Sequence, residues 1–408
     1  MHSLHARCKR RPGPALAGVI LAITTAGGTA LAGTPGTAAA AATPRPAASH
    51  PATARQGAPG PLGGASPAAS VQGGPELGRS GVIVNYPSPG FPRLPNPQAD
   101  AFVVADADTG QVLAAENPHA WYGPASTLKI LTAISLIPAL NPNATTSASA
   151  DAVSQEPDDV GLAQGHQYRI ADLFRALLLI SGNDAAVSLA EATGSYAQGI
   201  ALMNAEAHHL QAYDTVAKTP NGLDAPGQHV SAYDQALIAR QALRTPAFMT
   251  YDTTRTAMFA ITVHHSVQLI NQDTLLDNYQ GFLGGKTGWT TPAKATYTGM
   301  ARRNGHTLIV TLLHAVPLTW PTTAPALLDW GFAADGKVQP VGQLVNPLPP
   351  PAPPAARHQA GHGAVRLTPT AAGRGTDIVP VIAALVAIFA VAILGFTLVA
   401  ARRAAMRR

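Results

Sequence analysis

The apolar positions along the chain fall into blocks of different period. Two short apolar runs at 101–105 and 111–115 flank Asp106-Ala107-Asp108-Thr109-Gly110, a stretch of turn formers, and predict a pair of opening strands. Between 170 and 243, Leu, Ile, Val and Ala recur every three or four residues. This spacing predicts helices over 170–180, 185–193, 197–210 and 232–243, with Asp184 and Ser231 as candidate N-caps. Strand character returns at 295–302 and 306–314 around Arg303-Asn304-Gly305, with 307–313 the strongest strand signal of the chain, and 324–330 reads as a short closing helix. Strands from both ends of this region with helices between them imply an α/β fold. It would be a mostly antiparallel sheet with helices packed on it and an inserted all-helical subdomain.

Outside this body the pattern changes. Residues 1–42 combine Arg7, Lys9, Arg10 and Arg11 with a short apolar run and small residues, and read as a signal peptide. Residues 43–80 are a Pro/Ala/Gly-rich tract expected to be a disordered linker, leaving 81–342 as the catalytic domain. From 343 to 376 the chain reads as a Pro-rich spacer. Residues 377–401, uncharged after Asp377, are long enough to span a bilayer. Arg402, Arg403, Arg407 and Arg408 in the tail 402–408 place the C-terminus in the cytoplasm. The expected localisation is therefore the cell membrane, single-pass, with the catalytic domain outside.

Composition agrees with a mosaic: 408 residues, 46% hydrophobic, 12% charged, with 38 Gly, 36 Pro and one Cys. That Cys8 lies in the signal region, so the mature chain offers no thiol for catalysis, disulfides or metal. The formal charge of +5 suggests an anionic partner until the charges are located. Residues 81–342 hold 13 Lys and Arg against 20 Asp and Glu, a net of −7, so the basic excess lies in the flanks. The body has no basic face to displace counterions, and nucleic acid is excluded as a partner.

Three motifs fall on the junctions of the body. Ser126-Thr127-Leu128-Lys129 enters an apolar helix expected to run to Ile137 before Pro138; the i, i+3 spacing sets an amine one turn from a hydroxyl, close enough to take its proton. Ser181-Gly182-Asn183-Asp184 lies between helical segments, where its hydroxyl can pass protons and its amide can grip a peptide. Gly284-Gly285-Lys286-Thr287-Gly288-Trp289, expected at the end of a strand, lets a ligand lie against the backbone and offers Lys286 and Thr287 to a carboxylate. Taken singly, each also reads as a cap or a turn. Each occurs once, in this order, and two of only six lysines sit in them.

Together these residues resemble the serine D-alanyl-D-alanine carboxypeptidases, the low-molecular-mass penicillin-binding proteins that share a β-lactamase/transpeptidase-like fold. The likeness spans about 101–331 and extends to Pro124-Ala125, Asn221-Gly222-Leu223 and Leu275-Leu276. It implies Ser126 as acyl-forming nucleophile, Lys129 as its base, Ser181 as proton relay and Asn183 as contact to the substrate backbone. Lys286 and Thr287 would bind the terminal carboxylate, and the N–H groups of Ser126 and Trp289, beyond Gly288, would form the oxyanion hole. The implied substrate is a peptidoglycan stem peptide ending in D-Ala-D-Ala, with β-lactams as covalent inhibitors and no cofactor or metal. For Lys129 to act as a base, burial and the charge of Lys286 should hold its pKa down.

Two departures from the family pattern stand out. The Pro-rich tract follows soon after Trp330, so the β-rich second domain of many relatives is expected to be absent, and 315–323 lacks the carboxylate-binding arginine of some relatives. Rival readings on the same scaffold are a D,D-transpeptidase, an endopeptidase and a class A-like β-lactamase, the last disfavoured by the lack of an E-x-x-L-N element between Ser181 and Lys286. From another class, an inactive wall-binding protein would need its site disabled, whereas all the motif residues are intact. The paired histidines His208-His209 and His264-His265 have no ligand spacing and read as surface or packing residues.

Overall fold

The computed structural model describes residues 71–349. The signal peptide, the first part of the linker, the candidate span at 377–401 and the basic tail lie outside the described residues. Among the described residues no helix is long and apolar enough to cross a membrane.

A 3-10 turn at Pro75–Gly78 precedes β1 (Ala99–Asp106) and β2 (Gln111–Glu116), and a second at Ala125–Leu128 leads into α1 (Lys129–Leu136). Then come β3 (Thr145–Ser147), α2 (Ala150–Val153), β4 (Gln167–Arg169), α3 (Ile170–Leu179), α4 (Asn183–Ala192) and α5 (Tyr196–His209). The helices α6 (Ala232–Leu243) and α7 (Pro246–Asp252) precede the hairpin β5 (Thr256–Thr262) and β6 (His265–Ile270) and the single turn α8 (Leu275–Asn278). The chain closes with β7 (Phe282–Thr290), β8 (Lys294–Arg303), β9 (His306–Ala315), α9 (Trp320–Ala334) and β10 (Gly342–Gln343).

The main sheet has six strands in the order β10-β2-β1-β9-β8-β7, with every described pairing antiparallel. Its strands come from both ends of the described chain, with helices inserted between, as the hydrophobic pattern implies. Both faces are covered, which is why β1 and β9 read as continuous apolar runs rather than alternating ones. Ala101, Val103, Ala105, Ile309 and Leu313 face the core shared with α1, α3, α4 and α6. Phe102, Val104, Leu308, Val310 and Leu312 face the core under α9. At about 25 cal/mol per Å² of apolar surface removed from water, these two layers are the main source of stability.

Several expectations need correction. Residues 71–80, assigned to the linker, belong to the fold: Leu77 is buried, and Gly73 O accepts from Gln343 N at 2.7 Å. For the same reason the spacer does not begin at 343; β10 pairs with β2, Leu344 is buried, and Leu348 N donates to His209 O at 2.8 Å. A Pro- and Gly-rich composition hides the few apolar anchors that decide such boundaries. The closing helix runs from Trp320 to Ala334, because Pro321 and Pro325 fall near its N-terminus, where no intrahelical donor is lost or only one. The β5–β6 hairpin has no counterpart in the sequence reading.

Candidate active site

The three motifs converge where the free edge of β7 meets the start of α1 and the turn into α4. Ser126 sits in the 3-10 turn Ala125–Leu128, not in the α-helix expected from 126 to 137, and α1 proper begins at Lys129. The turn is fixed from several sides. Thr127 Oγ1 donates to Pro124 O at 2.6 Å and accepts from Gln235 Nε2 of α6 at 2.6 Å, while Thr296 Oγ1 of β8 donates to Pro124 O at 2.9 Å. Ala125 has φ of 47°, a left-handed conformation that a non-glycine residue adopts at some cost and that aims Ser126 out of the turn. Ser126 is half-buried, whereas Lys129 is fully buried.

Lys129 Nζ lies within hydrogen-bond distance of Ser126 Oγ (2.9 Å), Ser181 Oγ (3.2 Å), Asn183 Oδ1 (2.6 Å) and Asn221 O (2.9 Å). The one-turn spacing therefore brings amine and hydroxyl together, and the second motif reaches the same amine. Desolvation by burial, followed by the charge of Lys286, holds the Lys129 pKa well below its usual range, with Asp158 and Asp184 opposing. These two lowering causes are the ones the sequence reading named. Lys286 is also buried and lowered, to about 8, chiefly by desolvation. Its Nζ donates to Thr287 O at 2.8 Å.

Ser181 has φ of 65°, and the bend it makes points both Ser181 and Asn183 at Lys129. The Asn183 Nδ2 group donates to Glu156 O at 2.7 Å, so its Oδ1 keeps one lone pair beyond the Lys129 contact. Asp184 is not the cap of α4; that position is Gly182. Its buried carboxylate instead accepts from the N–H groups of Val160, Gly161 and Leu162 at 2.9 to 3.1 Å and pins the loop that borders the site. Ser231 does cap α6, accepting from Asp234 N.

Lys286, Thr287 and Gly288 lie in the middle of β7 rather than at a strand end. Glycines that read as punctuation are here an edge strand pressed against its neighbours. A β-carbon on Gly288 would meet Ser126 N at 2.7 Å, and one on Gly285 would meet Thr298 O at 2.6 Å. Gly288 thus brings β7 against the Ser126 N–H, and Trp289 follows it on the same edge strand. Its side chain is exposed.

Sequence reasoning gave no role to several residues that build this site. The Asn221 carbonyl accepts from Lys129, its side chain donates to Gln155 Oε1 at 2.8 Å, and Gly222 packs on Ala125. Asp252 and Asp273 are buried beside Lys286; burial raises both, Asp273 to about 6, and Tyr297 donates to Asp273 at 2.9 Å. Only the Asn-Gly-Leu string carried a signal in the sequence, as part of the resemblance.

This constellation of a buried amine, two serines, an amide and a lysine on a free strand edge is matched by a family model. Residues 91–316 fit that of D-alanyl-D-alanine carboxypeptidase, peptidase family S11. The chain belongs to this family. It is 38% identical over 258 residues to the D-alanyl-D-alanine carboxypeptidase DacB2 of Mycobacterium tuberculosis, covering 62% of this chain and 88% of that protein. The carboxypeptidase DacA of Escherichia coli is 29% identical over 272 residues, 63% of this chain and 65% of that protein. Among solved structures, a D-alanyl-D-alanine carboxypeptidase of M. tuberculosis superposes with a TM-score of 0.60 at 36% identity, over 64% of this chain and 99% of that one. Penicillin-binding protein 6B of E. coli gives 0.54 at 30% identity, over 61% and 81%. The fold is thus of the transpeptidase/penicillin-binding-protein type, and the chain is a hydrolase of the carboxypeptidase family.

Proposed function

We propose that the chain removes the terminal D-alanine from peptidoglycan stem peptides through an acyl-enzyme on Ser126, and that β-lactams acylate the same hydroxyl. The observation that carries this reading is the environment of Lys129. A neutral amine has two hydrogens and one lone pair. Asn183 Oδ1 and Asn221 O accept the hydrogens, which leaves the lone pair for the Ser126 hydroxyl 2.9 Å away.

In this mechanism the peptide lies along the open edge of β7 with its carboxylate held by Lys286 and Thr287. Lys129 takes the Ser126 proton as Oγ bonds to the carbonyl carbon, and the oxyanion faces the N–H groups of Ser126 and Trp289. Ser181 relays the proton now on Lys129 to the leaving nitrogen, the C–N bond breaks, D-alanine departs and Lys129 is neutral again. Water, deprotonated by Lys129, then cleaves the ester and restores Ser126. Transfer of the acyl group to an amine needs only a different acceptor. Similarity to a Streptomyces DD-transpeptidase, with a TM-score of 0.56 at 25% identity, supports that as a second reading.

The same proposal includes export by residues 1–42 and anchoring by the uncharged segment 377–401 with its arginine-rich tail, so that the catalytic domain faces the wall. Incubating the purified chain with a peptide ending in D-Ala-D-Ala tests the chemistry. Release of one D-alanine per peptide supports it, and no release together with no covalent penicillin adduct on Ser126 overturns it. An added amine acceptor that diverts acyl groups into a new amide would favour the second reading. Protease accessibility in intact cells tests the topology.

A further inference from the structure

Away from the catalytic residues, three side chains from separate segments meet at one end of the main sheet: Asp106 at the end of β1, His306 at the start of β9 and Asp335 just past α9. One donor atom of each lies within 4.8 Å of those of the other two. Lys286 pairs with Thr298, and Thr298 with Thr311; from Thr311 to His306 is five residues along β9, about 17 Å at the rise of a strand. The mechanism above makes no use of this cluster.

Its geometry asks for a cation. The Asp335 side chain is only 8% exposed, and its buried Oδ2 receives no hydrogen bond. His306 Nδ1 stands 2.7 Å from that oxygen but out of line for donation, so the two atoms lie side by side rather than pointing at each other. Asp106 is buried as well, its Oδ1 accepting from the N–H groups of Asp108 at 2.7 Å and Thr109 at 3.0 Å. Nearby cations are engaged elsewhere: Lys337 donates to Ala333 O at 3.0 Å, and Arg303 pairs with Asp329 at 2.7 Å. Asp335 also stands at the C-terminus of α9, the negative end of its dipole. One imidazole nitrogen with two carboxylate oxygens suits a borderline ion such as Zn2+, whereas Ca2+ and Mg2+ favour oxygen alone. His306 is exposed, which leaves room for water at a fourth position.

We propose that Asp106, His306 and Asp335 form a structural site for a divalent ion of the Zn2+ class, which ties the β1–β2 turn, the start of β9 and the end of α9 together. The test titrates the full chain, stripped by a chelator and dialysed, with ZnCl2, reading binding by calorimetry and Tm by scanning. One tight equivalent should bind, and at about 100 times its Kd the Tm should rise by about 5–10 °C, with no such rise from MgCl2 or CaCl2. His306→Ala, at an exposed position, should weaken binding by more than the ~10–100-fold typical of losing a ligand's outer partner, and should remove the Tm rise. Asp335→Asn, of the same shape without the charge, should do likewise, while His264→Ala should change neither. Penicillin acylation of Ser126 should be equal with and without Zn2+. No Tm rise with ZnCl2, or a rise that His306→Ala leaves in place because other histidines hold the ion, overturns the site. Acylation lost in step with the binding curve would put the ion in the catalytic cleft and overturn it equally.

Discussion

Gly222 packs its α-carbon directly on the carbonyl of Ala125, the residue before Ser126, with φ of +84°. No side chain fits there, because the atom in the way is backbone. The same strand of chain offers the Asn221 carbonyl to Lys129, so one close approach sets the height of both nucleophile and amine.

Gly222→Ala should therefore cost stability and acylation together. An alanine in left-handed backbone loses about 1 kcal/mol, and displacement of a backbone neighbour adds at least as much. The expected loss of about 2 kcal/mol lowers Tm by about 4–8 °C for a domain of this size. Penicillin acylation of Ser126 should slow as well. Unchanged melting and labelling would mean that the Ala125 carbonyl is free to move.

Lys129→Ala should abolish penicillin labelling of Ser126, since among the described residues Lys129 Nζ is the side-chain hydrogen-bond partner of that hydroxyl. Loss of a positioned base corresponds to about 10²–10⁴ in rate. Labelling is read by mass spectrometry of the intact protein, with circular dichroism to show that the fold persists. Acylation at the unaltered rate would remove Lys129 as the base.

The layout of sheet and helices was legible because period and burial coincide. β9 is apolar on both faces, and α6 begins at a serine whose side chain caps it. Ser126, Lys129, Ser181, Asn183 and Lys286 were legible because the chemistry fixes their spacing. What stayed hidden depends on tertiary contact. Asp184 looks like a helix cap in one dimension and becomes a loop anchor only when residues 160–162 arrive beside it. Leu77 carries no signal inside a Pro/Gly-rich tract, yet it is one of the apolar contacts that extend the domain back to residue 71.

Asp184→Ala should free that loop. Three N–H groups would lose their acceptor, and Asn183, whose Nδ2 and N–H bond Glu156 O and Asp158 O on the same loop, would lose part of its support. Each unsatisfied buried donor costs about 1–3 kcal/mol unless water reaches it. The expected outcome is faster proteolytic cleavage within 156–162 and slower acylation. Protection equal to the unaltered protein would show that the loop is held by other contacts.

Activity should follow a bell in pH whose two limbs report the paired lysines. Catalysis needs Lys129 neutral and Lys286 charged, so kcat/KM rises as Lys129 loses its proton and falls again near pH 8, where Lys286 loses its own. The limbs belong to the coupled pair rather than to either lysine alone. Asp158 favours the ammonium form of both, so Asp158→Asn should move both limbs toward acid by a fraction of a unit, a small shift because Asp158 is exposed. Stability runs the other way on the alkaline side. The folded value of Lys286, about 8, lies below the ordinary 10.5, so between these the unfolded chain binds more protons and the contribution of Lys286 to stability grows with pH. Activity lost above pH 8 should therefore return on back-titration with no change in Tm that accounts for it. An alkaline limb that tracks unfolding, or limbs that Asp158→Asn leaves in place, would sever the link between these two amines and turnover.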